Sequence, residues 1–265
     1  MSQALSPEIA EPHAPAAVRT APIALFLDFD GTLVEIAPSP EDVHLDRRVP
    51  GALDALRQRL DGALALVSGR PVALLDEMMA PYRFDAAGLH GAQIRLGGAE
   101  APLAAPSEAL RTATRAMVRF ANSNIGILVE DKRQSVALHW RLAPALADEA
   151  MALMERLAAE IGPSMRLQRG KAVAELVPAN ASKGGAIAWL MQQEAYAGRR
   201  PVFIGDDITD EDGFATVNAA AGLSIRIGEG ESCARHRLAS PTALHRILLA
   251  AADGGELTLE TFLQD

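Results

Sequence analysis

Cysteine is almost missing: Cys233 is the single one in 265 residues. The chain can therefore form no intrachain disulfide and offers no thiolate metal cluster. Positive charge is also short, with 25 Lys and Arg against 34 Asp and Glu and a formal net charge of -9. A polyanion-binding surface is not expected from that balance, which counts against nucleic acid and acidic membranes as partners. No apolar run in the chain approaches the roughly 18 residues of a membrane span. The N-terminus lacks a basic segment followed by an apolar core, so no secretory signal and a cytoplasmic location are expected. No internal repeat is present.

Hydrophobic residues make up 49% of the chain, enough to bury a core as one large or two modest domains. A small anionic substrate is compatible with the net charge, because a metal and a few local cations can override it. Residues 1–20 are rich in Ala, Pro, Ser and Glu without periodicity and read as a disordered tail. Ile23 to Leu27 is a continuous apolar run, too short for a typical helix and suited to a strand buried on both faces of a parallel sheet. Pro38-Ser39-Pro40 and Glu41-Asp42 then mark a loop. Pro50 with Leu53, Leu56 and Leu60 predicts an amphipathic helix. Ala63 to Val67 is a second apolar run and ends in Ser68-Gly69-Arg70, and Pro71 opens a helix to about Met79. This β-α-β-α rhythm implies a parallel α/β sheet.

Beyond Phe84–Leu96, read as strand, turn and strand, the character changes near Leu103. A helix over 107–121, strands at 127–130 and 135–141, a helix at 144–161 and strands near 165–168 and 172–177 form an α+β insertion. Within it Val136, Leu138 and Trp140 alternate with Ala137, His139 and Arg141, as in an antiparallel sheet with one wet face. The first rhythm resumes with Ser182 capping a helix through Glu194, a strand at Pro201–Ile204, a strand about 222–227 and a last helix about 241–252. The expected boundaries are 1–20 for the tail, 21–103 with 179–265 for a core domain, and 104–178 for the insertion.

Three apolar strands end in polar groups: Asp28 and Asp30, then Ser68, then Asp206 and Asp207. In a parallel sheet these ends share one edge, where such folds place ligands, and Lys183 can reach it from the start of its helix. Two acids at a buried strand end repel each other; a cation could hold both ionised, or a reaction could use both. Taken singly, Ser68 reads as a turn serine, Lys183 as an ordinary helix lysine, and 206–212 as a solvated helix start. Together they supply a nucleophile, an acid/base, a hydroxyl, a cation and a metal cage, the inventory of phosphoryl transfer.

Asp28-Phe29-Asp30-Gly31-Thr32, Ser68, Lys183 and Gly205-Asp206-Asp207-Ile208-Thr209-Asp210 resemble, in order and spacing, the four motifs of the haloacid dehalogenase-like (HAD) phosphohydrolases. The resemblance implies a Rossmann-like parallel-sheet core with an inserted α+β cap domain. It implies that Asp28 is the nucleophile, Asp30 the acid/base and Lys183 a catalytic cation. It implies that Ser68 and Gly69 bind phosphate. It also implies Mg²⁺ held by Asp28, the Asp30 carbonyl and Asp206, with Asp207 and Asp210 adjoining. Glu130-Asp131-Lys132, Ser135 to Arg141, Gly170 to Leu176 and Gly88-Leu89-His90-Gly91 closely resemble the trehalose-6-phosphate phosphatases within that superfamily. Glu130, Lys132, Lys171 and Glu175 match that family's sugar-hydroxyl-binding positions; Trp140 departs from its common tyrosine. The implied partner is a small-molecule substrate, trehalose 6-phosphate, bound by a monomer.

Two alternatives stay open at this point: a HAD phosphatase of another sugar phosphate, such as sucrose phosphate or mannosyl-phosphoglycerate, and a non-catalytic sugar-phosphate-binding domain. Arg70 and Arg141 suit phosphate binding or ion pairing equally, and His90 and His139 read as structural hydrogen-bonders.

Overall fold

The structure, a computed structural model, describes residues 22–36, 43–100, 105–254 and 258–263. The tail read over 1–20, the Pro38-Ser39-Pro40 loop and the join expected at 103–104 lie outside the described residues. Strand Ile23–Leu27 (β1) is buried at every position, as its unbroken apolar run requires. It is followed by helix Val49–Arg59 (α1), strand Leu64–Val67 (β2), helix Val72–Met79 (α2) and strands Asp85–Gly88 (β3), Gln93–Leu96 (β4) and Ala99–Glu100 (β5).

The inserted unit holds helix Glu108–Asn122 (α3), strands Leu128–Asp131 (β6) and Val136–His139 (β7), helix Ala147–Ile161 (α4), and strands Met165–Gly170 (β8) and Val173–Pro178 (β9). The chain returns through helix Lys183–Leu190 (α5), strand Arg200–Gly205 (β10), helix Glu211–Ala219 (α6), strands Leu223–Ile227 (β11) and His236–Leu238 (β12), and helix Pro241–Ala252 (α7).

The larger sheet runs β12-β11-β10-β1-β2-β3-β4-β5, parallel from β12 to β3 with β4 and β5 antiparallel at one edge. β1 is central. The chain first builds outward on one side through β2 and β3, then returns to fill the other side from β10. That reversal opens a crevice at the carboxyl ends of β1, β2 and β10, which is where open α/β sheets bind ligands. The smaller sheet, β6-β7-β9-β8, is wholly antiparallel. Val136, Leu138, Trp140, Ala174 and Leu176 turn one of its faces into a second hydrophobic core with side chains of α3 and α4. The alternating partners Ala137, His139 and Arg141 face a cavity above the first sheet's crevice, so the wet face predicted from the sequence is the wall of the site.

The elements differ from expectation in three places. α5 stops at Leu190 rather than Glu194, where Gln192 N–H turns to Trp189 O and Gln193 N–H to Leu190 O, tightening the chain into turns. The 135–141 strand pairs only over Val136–His139. The short strands β5 and β12 carry no pattern that separates them from loop in the sequence.

Candidate active site

The cavity's edge on the larger sheet is built first from β1. The N–H of Asp28 still donates to Ile204 O at 2.9 Å, so the residue leaves the sheet in register. Thr32, Leu33 and Val34 then return their N–H groups to Phe29 O, and the chain turns back sharply. Gly31 sits in this turn at φ +78°, and a Cβ there would meet Asp206 Oδ2 at 2.0 Å. Only glycine satisfies both demands.

Asp28 is 3% exposed, and so is Lys183, which opens α5. Lys183 Nζ donates to Asp28 Oδ1 and to Asp210 Oδ1, both at 2.7 Å. Asp210 Oδ2 accepts the N–H groups of Asp206 and Asp207 at 3.0 Å each, which fixes the loop after β10. Carboxylate oxygens of Asp28, Asp206 and Asp210 all lie within 4.8 Å of one another.

Three carboxylates against one ammonium leave two negative charges in a dry place. Burial, then Asp210, lifts Asp28 to about 7 despite Lys183. Burial, then Asp28 and Asp210, lifts Asp206 to about 9. Asp206 Oδ1 is buried without a hydrogen-bond partner. An orphaned carboxylate oxygen, an all-oxygen donor set and a deficit of two positive charges fit a hard divalent cation, with magnesium favoured over zinc.

A pH dependence follows. The unfolded carboxylates lose protons near their ordinary 3.8, whereas the folded ones hold theirs to about 7 and about 9. Over that window the folded protein binds more protons than the unfolded chain, so metal-free stability falls as pH rises. In EDTA the melting temperature should drop between pH 5 and pH 9, and the gain on adding excess Mg²⁺ should grow with pH. A gain that stays flat across that range would contradict a cation among these carboxylates.

The structure orders the acids differently from the sequence expectation. Asp207 is not among the three. Its carboxylate caps the 208–210 turn by accepting the Asp210 N–H, and Asp210 takes the buried place instead. Asp30 lines the same cavity as Asp28, although the strand does not continue to it. Its carboxylate is gripped by Arg70, whose Nε and Nη2 donate at 2.7 and 2.6 Å. Arg70 also lies over the Phe29 ring, 5.3 Å from its centroid. Burial opposes the Arg70 charge, but its bond to Asp30 holds the guanidinium above its usual range. Ser68, at the end of β2, is buried and its Oγ accepts the Arg70 N–H at 3.1 Å. Gly69 lies beneath the His90 ring, where a Cβ would stand 2.6 Å from Cε1.

The smaller sheet supplies the opposite wall. Lys132 Nζ donates to Glu175 Oε2 at 3.1 Å and lies 3.6 Å from Glu130 Oε2. Ser135 Oγ donates to Glu175 Oε1 at 2.5 Å, and His139 Nε2 stands 3.1 Å from Glu130 Oε2. Burial opposes the Glu175 charge, but Lys132 and then His90 hold this carboxyl far below the usual range. Lys171 is exposed at the cavity wall. The cavity measures about 590 Å³ and reaches from Asp28, Asp30, Ser68, Gly69, Lys183, Asp206 and Asp207 to Glu130, Lys132, Lys171 and Glu175. That volume suits a small organic ligand. Asp210, expected only beside the metal, is one of the three clustered acids, and Ser135 and Gln168 are polar contributors that no sequence signal singles out.

The trehalose-phosphatase family model matches residues 26–245. A protein of Sinorhizobium fredii described as a probable trehalose-phosphate phosphatase is 43% identical over 231 residues, covering 86% of this chain and 87% of the relative. The trehalose-6-phosphate phosphatase of Escherichia coli is 43% identical over 221 residues, 83% of each chain. Among solved structures, a trehalose-6-phosphate phosphatase related protein superposes with a TM-score of 0.74 at 25% identity, over 86% of this chain and 96% of the other. The C-terminal domain of Candida albicans trehalose-6-phosphate phosphatase shares the fold with a TM-score of 0.77 at 21% identity, over 88% and 93% of the two chains.

Proposed function

The chain belongs to the trehalose-phosphatase family and is a phosphatase of trehalose 6-phosphate, and we propose that it acts through an aspartyl-phosphate on Asp28 with Mg²⁺ as cofactor. One observation supports this reading most. A single cavity has a carboxylate and ammonium rim at one end and a charged, hydroxyl-matching wall at the other. The first end suits a phosphoryl group and the second a polyol.

Asp28 is the nucleophile. Its Oδ1 is held by Lys183 at 2.7 Å and its Oδ2 by Thr32 Oγ1 at 3.3 Å, so the carboxylate is oriented before substrate enters. Asp30, two residues on and in the same cavity, protonates the leaving sugar oxygen and then takes a proton from the hydrolytic water. Arg70 must release the Asp30 carboxylate, or share it, for that transfer. Ser68 and the Gly69 N–H bind phosphate oxygens, and Lys183 offsets their charge. Asp28, Asp206 and Asp210, with the Asp30 carbonyl, are the groups that would hold Mg²⁺. When bound, the ion neutralises charge on the transferring phosphoryl group. Glu130, Lys132, Lys171 and Glu175 hydrogen-bond sugar hydroxyls, and such charge-assisted bonds are strong once water is excluded.

The inserted unit therefore serves as a cap on the parallel-sheet core, and the chain works as a monomer in the cytoplasm. Phosphate release from a panel of trehalose 6-phosphate, sucrose 6-phosphate, glucose 6-phosphate and mannosyl-phosphoglycerate, with and without Mg²⁺, tests the reading. Trehalose 6-phosphate should lead the panel, and EDTA should silence it. Faster release from another member would remove the substrate while leaving the chemistry.

A further inference from the structure

Gly88-Leu89-His90-Gly91 is not used by the mechanism above, yet it joins both walls of the site. Leu89 and His90 have φ of 52° and 56°, a left-handed region that non-glycine residues adopt rarely. The turn is fastened to the end of β2: His90 N–H donates to Ser68 O at 3.0 Å and Leu89 N–H to Arg70 O at 3.1 Å. The imidazole then lies directly on Gly69, where a Cβ would come within 2.6 Å of Cε1. His90 is thus fixed by main chain and side chain to the Ser68-Gly69 turn.

Its outer edge belongs to the opposite unit. His90 Nε2 stands 3.4 Å from Glu175 Oε2 on β9. Gln168 Nε2, on β8, stands 3.0 Å from His90 Nε2 and 3.3 Å from Nδ1. Arg166 Nη1 donates to Gln168 Oε1 at 2.9 Å, which leaves the amide nitrogen facing the ring. The carboxylate that His90 meets is the one that also holds Ser135 and Lys132.

We propose that His90 is a positioning residue that registers the sugar-facing Glu175 against the phosphate-facing Ser68-Gly69 turn, setting the phosphate-to-sugar spacing that the site accepts. This rests on the function proposed above. It predicts a selective defect, since a small ester needs only the phosphate end whereas a disaccharide phosphate needs both ends in register.

The test is His90→Asn, because Asn tolerates left-handed backbone and is too short to reach Glu175. Both kcat and KM are measured for trehalose 6-phosphate and for p-nitrophenyl phosphate with Mg²⁺, beside a thermal melt. A misplacement near 1 Å costs about 100-fold, so kcat/KM for the disaccharide should fall by roughly 30- to 100-fold. The loss on the ester should be at least about tenfold smaller. In a Glu175→Gln background the same substitution should cost little more, since His90 acts through that carboxylate. Equal losses on both substrates, or losses that multiply in the double variant, would overturn the inference. Should His90→Asn not accumulate folded, Gln168→Leu removes one of the two cap-side partners that hold the ring and should show a smaller split in the same direction; its absence would count equally against the proposal. Wild-type protein that fails to release phosphate from trehalose 6-phosphate would overturn the functional reading and this inference with it. Wild-type turnover combined with unselective variants would overturn the inference alone.

Discussion

Asp28→Asn should abolish phosphate release from trehalose 6-phosphate, by about 10⁴-fold or more, while the protein stays folded and still binds substrate. The amide matches the carboxylate in shape, so its oxygen can still accept from Lys183, which now donates to Asp28 Oδ1 at 2.7 Å. What it lacks is the negative charge and lone-pair reactivity needed to attack phosphorus. The electrostatics make the expectation sharper. Burial and the neighbouring Asp210 raise Asp28 to about 7, so in metal-free protein its ionised form is a burden on the fold. A neutral isostere relieves that burden. In EDTA at pH 8 the variant should melt no lower than the wild type, and single-turnover phosphate release should be lost. Calorimetry should still detect substrate. This separates catalysis from collapse: lost activity with lost stability would indicate a structural residue, and normal turnover would remove Asp28 as nucleophile.

The residues that meet at this rim were legible because their strands were. Ile23–Leu27 and Leu64–Val67 are unbroken apolar runs closed by polar groups, and a buried parallel strand leaves its last polar residue at the sheet edge. Lys183 was legible only by company, since a lysine at a helix start is ordinarily exposed. The placing of the acids after β10 was not legible. Asp206, Asp207, Asp210 and Asp212 crowd seven residues, and nothing in their spacing says which turns inward. The 208–210 turn decides it, by aiming Asp210 at Lys183 and at the N–H groups of Asp206 and Asp207. Arg70 was legible as a cation but not as the clamp of Asp30, a contact that spans 40 residues. The left-handed backbone of Leu89 and His90 had no signal either, because the residue types there do not demand it. β5 and β12, of two and three residues, are too short for any periodicity.

Lys183→Met should destabilise the folded chain severely. The side chain is similar in length and remains compatible with the helix, so packing is nearly conserved and the lost charge dominates. The ammonium is 3% exposed and donates to two carboxylates at 2.7 Å. Burial opposes its charge, yet Asp210 and then Asp28 hold it protonated far above the usual lysine range. Removing one partner of a buried ion pair costs about 3–5 kcal/mol, and here two carboxylates lose theirs while Asp206 already lacks one. Asp28 and Asp206, whose protons Lys183 helps to remove, would hold them to still higher pH. The folded variant would then bind still more protons than its unfolded chain at neutral pH, so its stability should fall more steeply with rising pH than that of the wild type. Lowering the pH toward 5 should recover part of the loss, and excess Mg²⁺ should recover part at pH 8. Turnover should fall by about 10³-fold or more even where the fold is rescued, since the phosphoryl group also loses its fixed cation. Thermal melts in EDTA across pH 5 to 9 read the first effect, and phosphate release with Mg²⁺ reads the second. A variant whose melting curve and pH slope match the wild type would show that the carboxylates do not depend on this ammonium, and the charge balance argued for the site would fail.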